Sequence, residues 1–174
     1  DIEQKIIPCS ANSSLNVVPM DTLSKTASTA TFVKRFCSLS EIPSFSRHVV
    51  QDEPNDRFIM GSDFNRGVSL LKELNLVYDI LIYERQLSAS IEFVDQHPDI
   101  IFVLDHVAKP RIKDAIFQPW SEQMKDLSKR ENVFCKLSGM ATEANWQNWT
   151  VDELLPYMET ALECFGAGRM MFGS

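Results

Sequence analysis

FVLDHVAKP, residues 102–110, is the clearest structural signal in the sequence, because an apolar run changes without a spacer into acidic, imidazole and cationic side chains. Its first three residues are typical of a buried strand. Asp105, His106 and Lys109 follow, and a proline then turns the chain out of any sheet. By strand alternation, His106 lies on the face of the first and third residues, opposite Asp105. We expect His106 to point into a ligand site and Asp105 to point away from it.

Comparable apolar runs recur along the chain, with a helical pattern between each and the next. They are Val49 and Val50, VYDILIY (77–83), IIFVL (100–104), VFCKL (133–137) and RMMF (169–172). Their separation is close to the 30 or so residues of a strand–helix–strand unit. Runs that are apolar throughout are typical of strands buried on both faces of a parallel sheet. The sequence therefore predicts an α/β fold with five parallel strands.

Start signals for helices lie between these strands. They are Ser62, Ser88, Pro119 and a capping box formed by Thr150 and Glu153. The residues expected to face the core are Phe64, Val68, Leu71 and Leu74 in the first helix, Ile91 and Val94 in the second, and Trp120, Met124 and Leu127 in the third. The second helix should end at His97-Pro98, and the last near Gly166. Pro156 is expected to kink the last helix or delay its start.

Two architectures fit five parallel strands: an open doubly wound sheet and part of a (β/α)8 barrel. No G-x-G-x-x-G or phosphate-loop motif occurs, which removes the usual nucleotide-binding reasons for an open sheet. A complete barrel takes about 250 residues, so residues 45–174 are predicted to form about its last five units. Residues 1–44, rich in Ser, Thr and Asn, are predicted to be a mostly loop or disordered lead. An unclosed barrel exposes strand edges, so a homo-oligomer is a further expectation.

Composition excludes several classes of protein. The 24 acidic and 17 basic residues give a formal net charge of -7, which predicts no nucleic-acid partner. No apolar run approaches the roughly 20 residues of a membrane helix, which predicts no membrane partner. The four cysteines are scattered, without a metal-binding spacing, and are interpreted as reduced thiols. We therefore predict a cytoplasmic protein.

Polar residues follow each predicted strand, and the carboxyl ends of parallel strands meet at one rim where ligands bind. The candidates there are Arg47, Tyr83, Arg85, Asp105, His106, Lys109, Lys136 and Ser138. Structural roles compete with functional ones. Arg47 has Asp52 or Glu53 as possible ion-pair partners, and Arg85 has Glu84 or Glu92. One of Lys136 and Ser138 is expected to face inward.

From Arg47 onward the motifs RHVVQDEP, YDILIYERQL, FVLDHVAKP, NVFCKLSGM and RMMFGS resemble, in that order, the amidohydrolase-related family that includes fuconolactonases and 2-pyrone-4,6-dicarboxylate lactonase. The resemblance implies a distorted barrel of the metal-dependent-hydrolase kind. It also implies hydrolysis of a sugar lactone or similar cyclic ester. In it His106 matches the histidine of a D-H motif, which makes it the catalytic candidate that polarises the carbonyl or ligates a metal. The implied substrate-binding residues are Arg47, Tyr83, Arg85 and Lys109, for a small lactone or carboxylate.

Two departures from the family pattern change the expectation for this chain alone. No His-x-His occurs, and the sequence stops at Ser174, before the Asp that relatives carry as general base. We therefore expect a truncated chain that is inactive alone and has no cofactor, with zinc possible only in a complete barrel. The alternative is a catalytically dead paralogue that acts as a binding or assembly partner. An unrelated open-sheet binding protein is a third hypothesis.

Overall fold

Strands and helices alternate along the chain, as the predicted α/β pattern requires. The computed structural model describes residues 7–8 and 44–173. The strands are β1 (Ile7–Pro8), β2 (Ser44–His48), β3 (Leu76–Ile80), β4 (Phe102–Leu104), β5 (Val133–Leu137) and β6 (Met170–Phe172). The helices are α1 (Ser62–Ser69), α2 (Leu87–Asp95), α3 (Trp120–Leu127), α4 (Met140–Glu143) and α5 (Val151–Phe165).

The described strands form one sheet in the order β1-β6-β5-β4-β3-β2, and each neighbouring pair is parallel. From β2 to β6 the strands are neighbours in chain order, which follows from a helical connection between successive parallel strands. Among the described strands, the first, β1, pairs with the last, β6. The predicted parallel α/β sheet is confirmed.

Each face of the sheet has its own apolar cluster. The larger cluster packs one face against the helices and includes Tyr78, Phe102, Cys135 and Trp120. We call this the outer face. The opposite, inner face carries a small layer from five adjacent strands: Phe45, Val77, Val103, Phe134 and Met171. Burial on both faces explains why the strands are continuous apolar runs.

The first strand was predicted at Val49 and Val50, and this position is wrong. The strand occupies Ser44–His48, whereas Val50 begins a short 3-10 turn and is fully buried. The ladder to β3 pairs Arg47 with Asp79. Arg47 is paired with the buried Asp105 and His48 with Glu53, so the segment forms a strand without an apolar run to mark it.

Helix signals in the sequence predict most of the helical boundaries. The capping box is present, with Thr150 N donating to Glu153 Oε2 at 2.9 Å. The helix begins at Val151, so Pro156 lies inside it and does not delay its start. Leu74 was expected in the core but is 48% exposed, because α1 ends at Ser69.

Parts of the prediction fall outside the described residues. Within the lead predicted as mostly loop, Ile7–Pro8 is a strand, and residues 1–6 and 9–43 are not described. Cys9 and Cys37 are among the latter, while Cys135 and Cys164 are free thiols. None of the described helices is long and apolar enough to cross a membrane.

Trp120 connects the helices to the loop that follows β4. It is 1% exposed, its ring contacts Phe117 and Tyr157, and its Nε1 donates to the Val107 carbonyl at 2.8 Å. Trp120→Ala is expected to lower the free energy of unfolding by about 3–5 kcal/mol, because it leaves a cavity and an unpaired buried carbonyl. Urea denaturation followed by circular dichroism measures this.

Trp149→Ala is the matched control for this substitution. Trp149 is 43% exposed, so its removal should change the free energy of unfolding by less than about 0.5 kcal/mol. Equal effects of the two substitutions would contradict the packing of Trp120.

Candidate active site

The backbone after β4 turns through an unusual left-handed segment. His106, Val107, Ala108 and Lys109 have φ values of 52°, 47°, 60° and 50°. Left-handed φ is uncommon for residues other than glycine and costs on the order of 1–3 kcal/mol each. The bond from Trp120 to the Val107 carbonyl holds the segment in place. Strain of this kind concentrates at functional sites, so the segment supports His106 as a candidate site residue.

The imidazole of His106 is fixed through one nitrogen. Its Nδ1 lies 2.7 Å from Ser138 Oγ, at hydrogen-bonding distance. A Cβ at Gly139, whose φ is +64°, would lie 2.8 Å from the same nitrogen, so any larger residue here would have to displace the ring. Nδ1 therefore faces the turn after β5, and Nε2 is the nitrogen left for a ligand.

The surroundings of His106 favour a neutral ring. Burial lowers its pKa, Asp105 opposes this, and the cations Lys136, Lys109 and Arg47 lower the pKa further. A neutral imidazole at neutral pH either donates or accepts a hydrogen bond at Nε2, depending on its tautomer.

Asp105 points inward, so the expectation that it points away from the site is wrong. Its carboxylate is fully buried, accepts from Arg47 Nη1 at 2.8 Å, and also accepts from Lys136 Nζ. Alternation assigned Asp105 to the face of Val103 correctly. The prediction exchanged the inner face with the outer face. Both faces are apolar, so the sequence pattern does not show which of them packs against the helices. The left-handed turn brings His106 close enough to Lys136 and Arg47 for both to affect its pKa.

Arg47, Asp79, Asp105 and Lys136 form what we call the inner charge cluster. These residues come from β2, β3, the end of β4 and β5, and the ladder extends the apolar inner layer directly into them. Lys136 Nζ also lies 3.9 Å from Asp79 Oδ2. Arg47 thus pairs with Asp105 and not with Asp52 or Glu53, since His48 takes Glu53 at 2.7 Å.

Asp79 is the member that sequence reasoning missed. Burial, followed by repulsion from Asp105, raises its pKa to about 7, while Lys136 and Arg47 act in the opposite direction. Within the part of the chain that the structure describes, its Oδ1 has no hydrogen-bond partner. A lone acidic residue inside the apolar run VYDILIY was the available signal.

Tyr83, Arg85 and Lys109 form a second group, which we call the Tyr83 patch. The guanidinium of Arg85 lies 4.8 Å and the ammonium of Lys109 5.1 Å from the centre of the Tyr83 ring. Arg85 pairs with Asp56 at 2.7 Å, so neither predicted partner, Glu84 or Glu92, is used. Lys109 is three residues after His106 in the same left-handed segment, so one member of the patch is close to His106 along the chain.

The open choice between Lys136 and Ser138 resolves into two roles. Lys136 belongs to the inner charge cluster, and Ser138 holds His106. The end of β6 passes close to both, since a Cβ at Gly173 would lie 3.2 Å from Lys136 Cδ and 3.6 Å from Ser138 Cβ. The residues after β4, β5 and β6 therefore converge on one rim.

A profile of the family described as Amidohydrolase matches residues 44–174. The chain belongs to this amidohydrolase family. Among curated proteins it is 38% identical to an L-fucono-1,5-lactonase of Burkholderia multivorans (strain ATCC 17616 / 249), over 74% of this chain and 47% of that protein. It is 32% identical to the L-fucono-1,5-lactonase of Burkholderia ambifaria, over 79% of this chain and 48% of that protein.

Solved structures show the same fold. An amidohydrolase from Burkholderia multivorans with bound zinc has a TM-score of 0.71 and 35% identity, over 81% of this chain and 52% of that one. A proposed 2-pyrone-4,6-dicarboxylic acid hydrolase from Pseudomonas putida, at 20% identity, has a TM-score of 0.55 over 80% of this chain and 50% of that one and supports the fold alone. The chain spans about half the length of the curated relatives it matches. The predicted partial barrel is confirmed.

The described part of this amidohydrolase chain does not by itself fit a catalytic zinc site. Such a site uses three protein ligands. Within residues 7–8 and 44–173, no group of three His, Cys, Asp or Glu side chains could hold a metal ion.

Gly139→Ala should displace the His106 ring, because the new methyl group would meet Nδ1. We expect a loss of roughly 1–3 kcal/mol in unfolding free energy and a shift of the His106 ring signals in ¹H–¹⁵N NMR. Gly166→Ala is the control for a positive-φ glycine without a neighbour: Gly166 has φ +64° with no atom within 4 Å of its Cβ position, although its ψ of 160° differs from the 8° of Gly139. The control should show the backbone cost without the change at His106. Unchanged His106 signals in Gly139→Ala would contradict this contact.

The raised pKa of Asp79, about 7, predicts a pH-dependent stability. The folded chain binds this proton more tightly than the unfolded chain, so the stabilising contribution is present below pH ~4 and is lost as pH rises to ~7. Relative to wild type, Asp79→Asn should therefore gain on the order of 2 kcal/mol between pH 5 and pH 8, measured by urea denaturation. Asp63→Asn, whose carboxylate is 85% exposed, should show no such gain. Parallel pH profiles for wild type and Asp79→Asn would contradict an Asp79 that is neutral at pH 5.

Proposed function

We propose that the protein containing this chain hydrolyses a sugar lactone, with His106 as the catalytic residue. The observation that carries this proposal is the anchoring of His106 Nδ1 by Ser138, beside the inner charge cluster and the Tyr83 patch. The names of the two Burkholderia lactonases support the substrate class.

The fixed imidazole suits a reaction at an ester carbonyl. With Ser138 donating to Nδ1, the neutral ring carries its proton on Nε2 and donates a hydrogen bond to the carbonyl oxygen of the lactone. Water then adds to the carbonyl carbon and gives up a proton, the ring C–O bond breaks, and the leaving oxygen takes up a proton in its place, so that one water is consumed for each lactone opened. The product is an open-chain hydroxy acid, which ionises to its carboxylate.

The Tyr83 patch supplies the means to hold such a substrate. Tyr83 offers an aromatic face and a hydroxyl group, and Arg85 and Lys109 offer cationic donors that suit hydroxyl and carboxylate oxygens. The 47% exposure of the Arg85 side chain leaves its guanidinium accessible. Arg47 has a different role from the one predicted, because Asp105 holds its guanidinium on the inner face. It acts on the substrate through the charge of the cluster.

The proposal involves no cofactor, and its partner is a small lactone or the corresponding carboxylate. We further propose that the protein forms a homo-oligomer and is located in the cytoplasm. The scattered cysteines and the net charge of -7 support that location and the lack of a nucleic-acid partner. The 174 residues alone are expected to be inactive, since they contain no His-x-His.

His106→Asn tests the proposal in the complete gene product that contains this sequence. We expect the kcat/KM for L-fucono-1,5-lactone, followed by acid release in a pH-stat, to fall by at least ~10²-fold, because the donor at Nε2 is lost. The melting temperature should change little, since the side chain is only partly buried.

His97→Asn is the control that removes an imidazole outside the site. His97 bonds to Asn65 at 2.8 Å and makes an edge-to-face contact with Phe93, on the outer side of the sheet. His97→Asn should lower the melting temperature while leaving kcat/KM nearly unchanged. Full activity in His106→Asn, or no lactone hydrolysis by the wild-type gene product, would overturn the proposed function.

A further inference from the structure

Lys136 is a buried cation with unused hydrogen-bonding capacity. Its side chain is 12% exposed, and an ammonium group has three N–H donors. Within the described residues, Asp105 is its hydrogen-bond acceptor, while Asp79 is 3.9 Å away, beyond hydrogen-bonding distance. Two donors therefore remain for an acceptor that is not part of the described chain.

The charge of the inner cluster favours an anion as that acceptor. Arg47 and Lys136 contribute two positive charges, and Asp105 contributes one negative charge. Asp79 is buried to 1% exposure with an unpaired Oδ1, an environment that favours the neutral acid. With Asp79 neutral, the cluster has one uncompensated positive charge in a buried position, which is costly without a counter-charge.

The position of Lys136 connects this charge to the proposed reaction. It precedes Ser138, which holds His106, by two residues on the same strand end, and its aliphatic chain runs beside Gly173. Lys136 and Ser138, the residue that holds His106, both lie within 4 Å of the Gly173 Cβ position, and Lys136 lowers the pKa of His106 by electrostatic repulsion.

We propose that Lys136 binds the carboxylate that lactone hydrolysis produces, and that Asp79 sets the strength of this binding through its own charge. This inference rests on the proposed function for the identity of the anion. Hydrolysis converts a neutral ester into a carboxylate, so negative charge appears on the oxygens of the former carbonyl group. A fixed ammonium beside His106 stabilises that charge, and Lys136 is thereby a further ligand-contacting residue of the site.

The direct test measures binding of L-fuconate and of L-fucitol to the gene product by isothermal titration calorimetry at pH 6. L-fucitol has the same hydroxyl groups but a neutral CH₂OH in place of the carboxylate. Lys136→Met should weaken L-fuconate binding at least 10-fold and leave L-fucitol binding unchanged. Lys136→Arg, which keeps the charge, should restore part of the L-fuconate affinity. Equal L-fuconate affinity in wild type and Lys136→Met would overturn the proposal.

A second measurement isolates Asp79 and does not require the Lys136 variants to fold. The titratable and charged groups around Asp79 are Asp105, Lys136 and Arg47 on the inner face, with His106 at the adjacent rim. As pH rises from 6 to 8, ionisation of Asp79 cancels the net charge, so wild-type L-fuconate affinity should fall several-fold. Asp79→Asn should show a clearly smaller fall over this range, because the carboxyl group that ionises is removed. The same fall in Asp79→Asn as in wild type would overturn the role of Asp79.

These outcomes are separable from failure of the proposed function. Binding is measured on the product and needs no turnover. Lactone hydrolysis combined with L-fuconate binding that is indifferent to Lys136 would reject this inference and leave the proposed function standing. Absence of hydrolysis combined with Lys136-dependent L-fuconate binding would do the reverse. Wild-type protein that binds neither ligand would reject the Lys136 site.

Discussion

The buried carboxylate of Asp105 is the constraint on which the site depends. A charge inside a sheet is tolerated only when it is paired, and Asp105 is paired with both Arg47 and Lys136. These partners come from β2 and β5, on either side of β4. One carboxylate thus links the two sides of the rim across the inner face. Removing it would leave two buried cations facing each other.

The same constraint explains the strained backbone beside it. Asp105 must face inward to meet its two partners, and the next residue of a regular strand would then face the helices. The left-handed turn at His106 instead turns the imidazole towards Ser138 and the rim. The conformational cost is met by fixed contacts, among them the bond from Trp120 to Val107. Packing of Trp120 in the outer core therefore helps to fix the orientation of the His106 ring.

The sequence predicted the elements better than it predicted the directions of side chains. Repeated apolar runs and capping signals such as Thr150 with Glu153 located four of the five predicted strands and the helices between them. The strand at Ser44–His48 was not predicted because it has no apolar run and because Arg47 is paired with Asp105, a partner distant in sequence that no local pattern reveals. Asp105 was assigned to the wrong face for a related reason. When both faces of a sheet are apolar, the sequence does not show which face lies against the helices. Asp79 is the reverse case, because the sequence does contain a signal for it: a single charged residue within an apolar run.

The pairing of β1 with β6 has a consequence for how the molecule is made. These strands lie near opposite ends of the described chain, about 160 residues apart, yet they are neighbours in the sheet. Pairings that are so distant in sequence form slowly, because a long loop must close before any contact rewards it. During synthesis, β1 therefore cannot find its partner until Met170–Phe172 has left the ribosome. Among the described strands, β2 to β5 can pair in the order in which they are made, before the pairing of β1 with β6 can form.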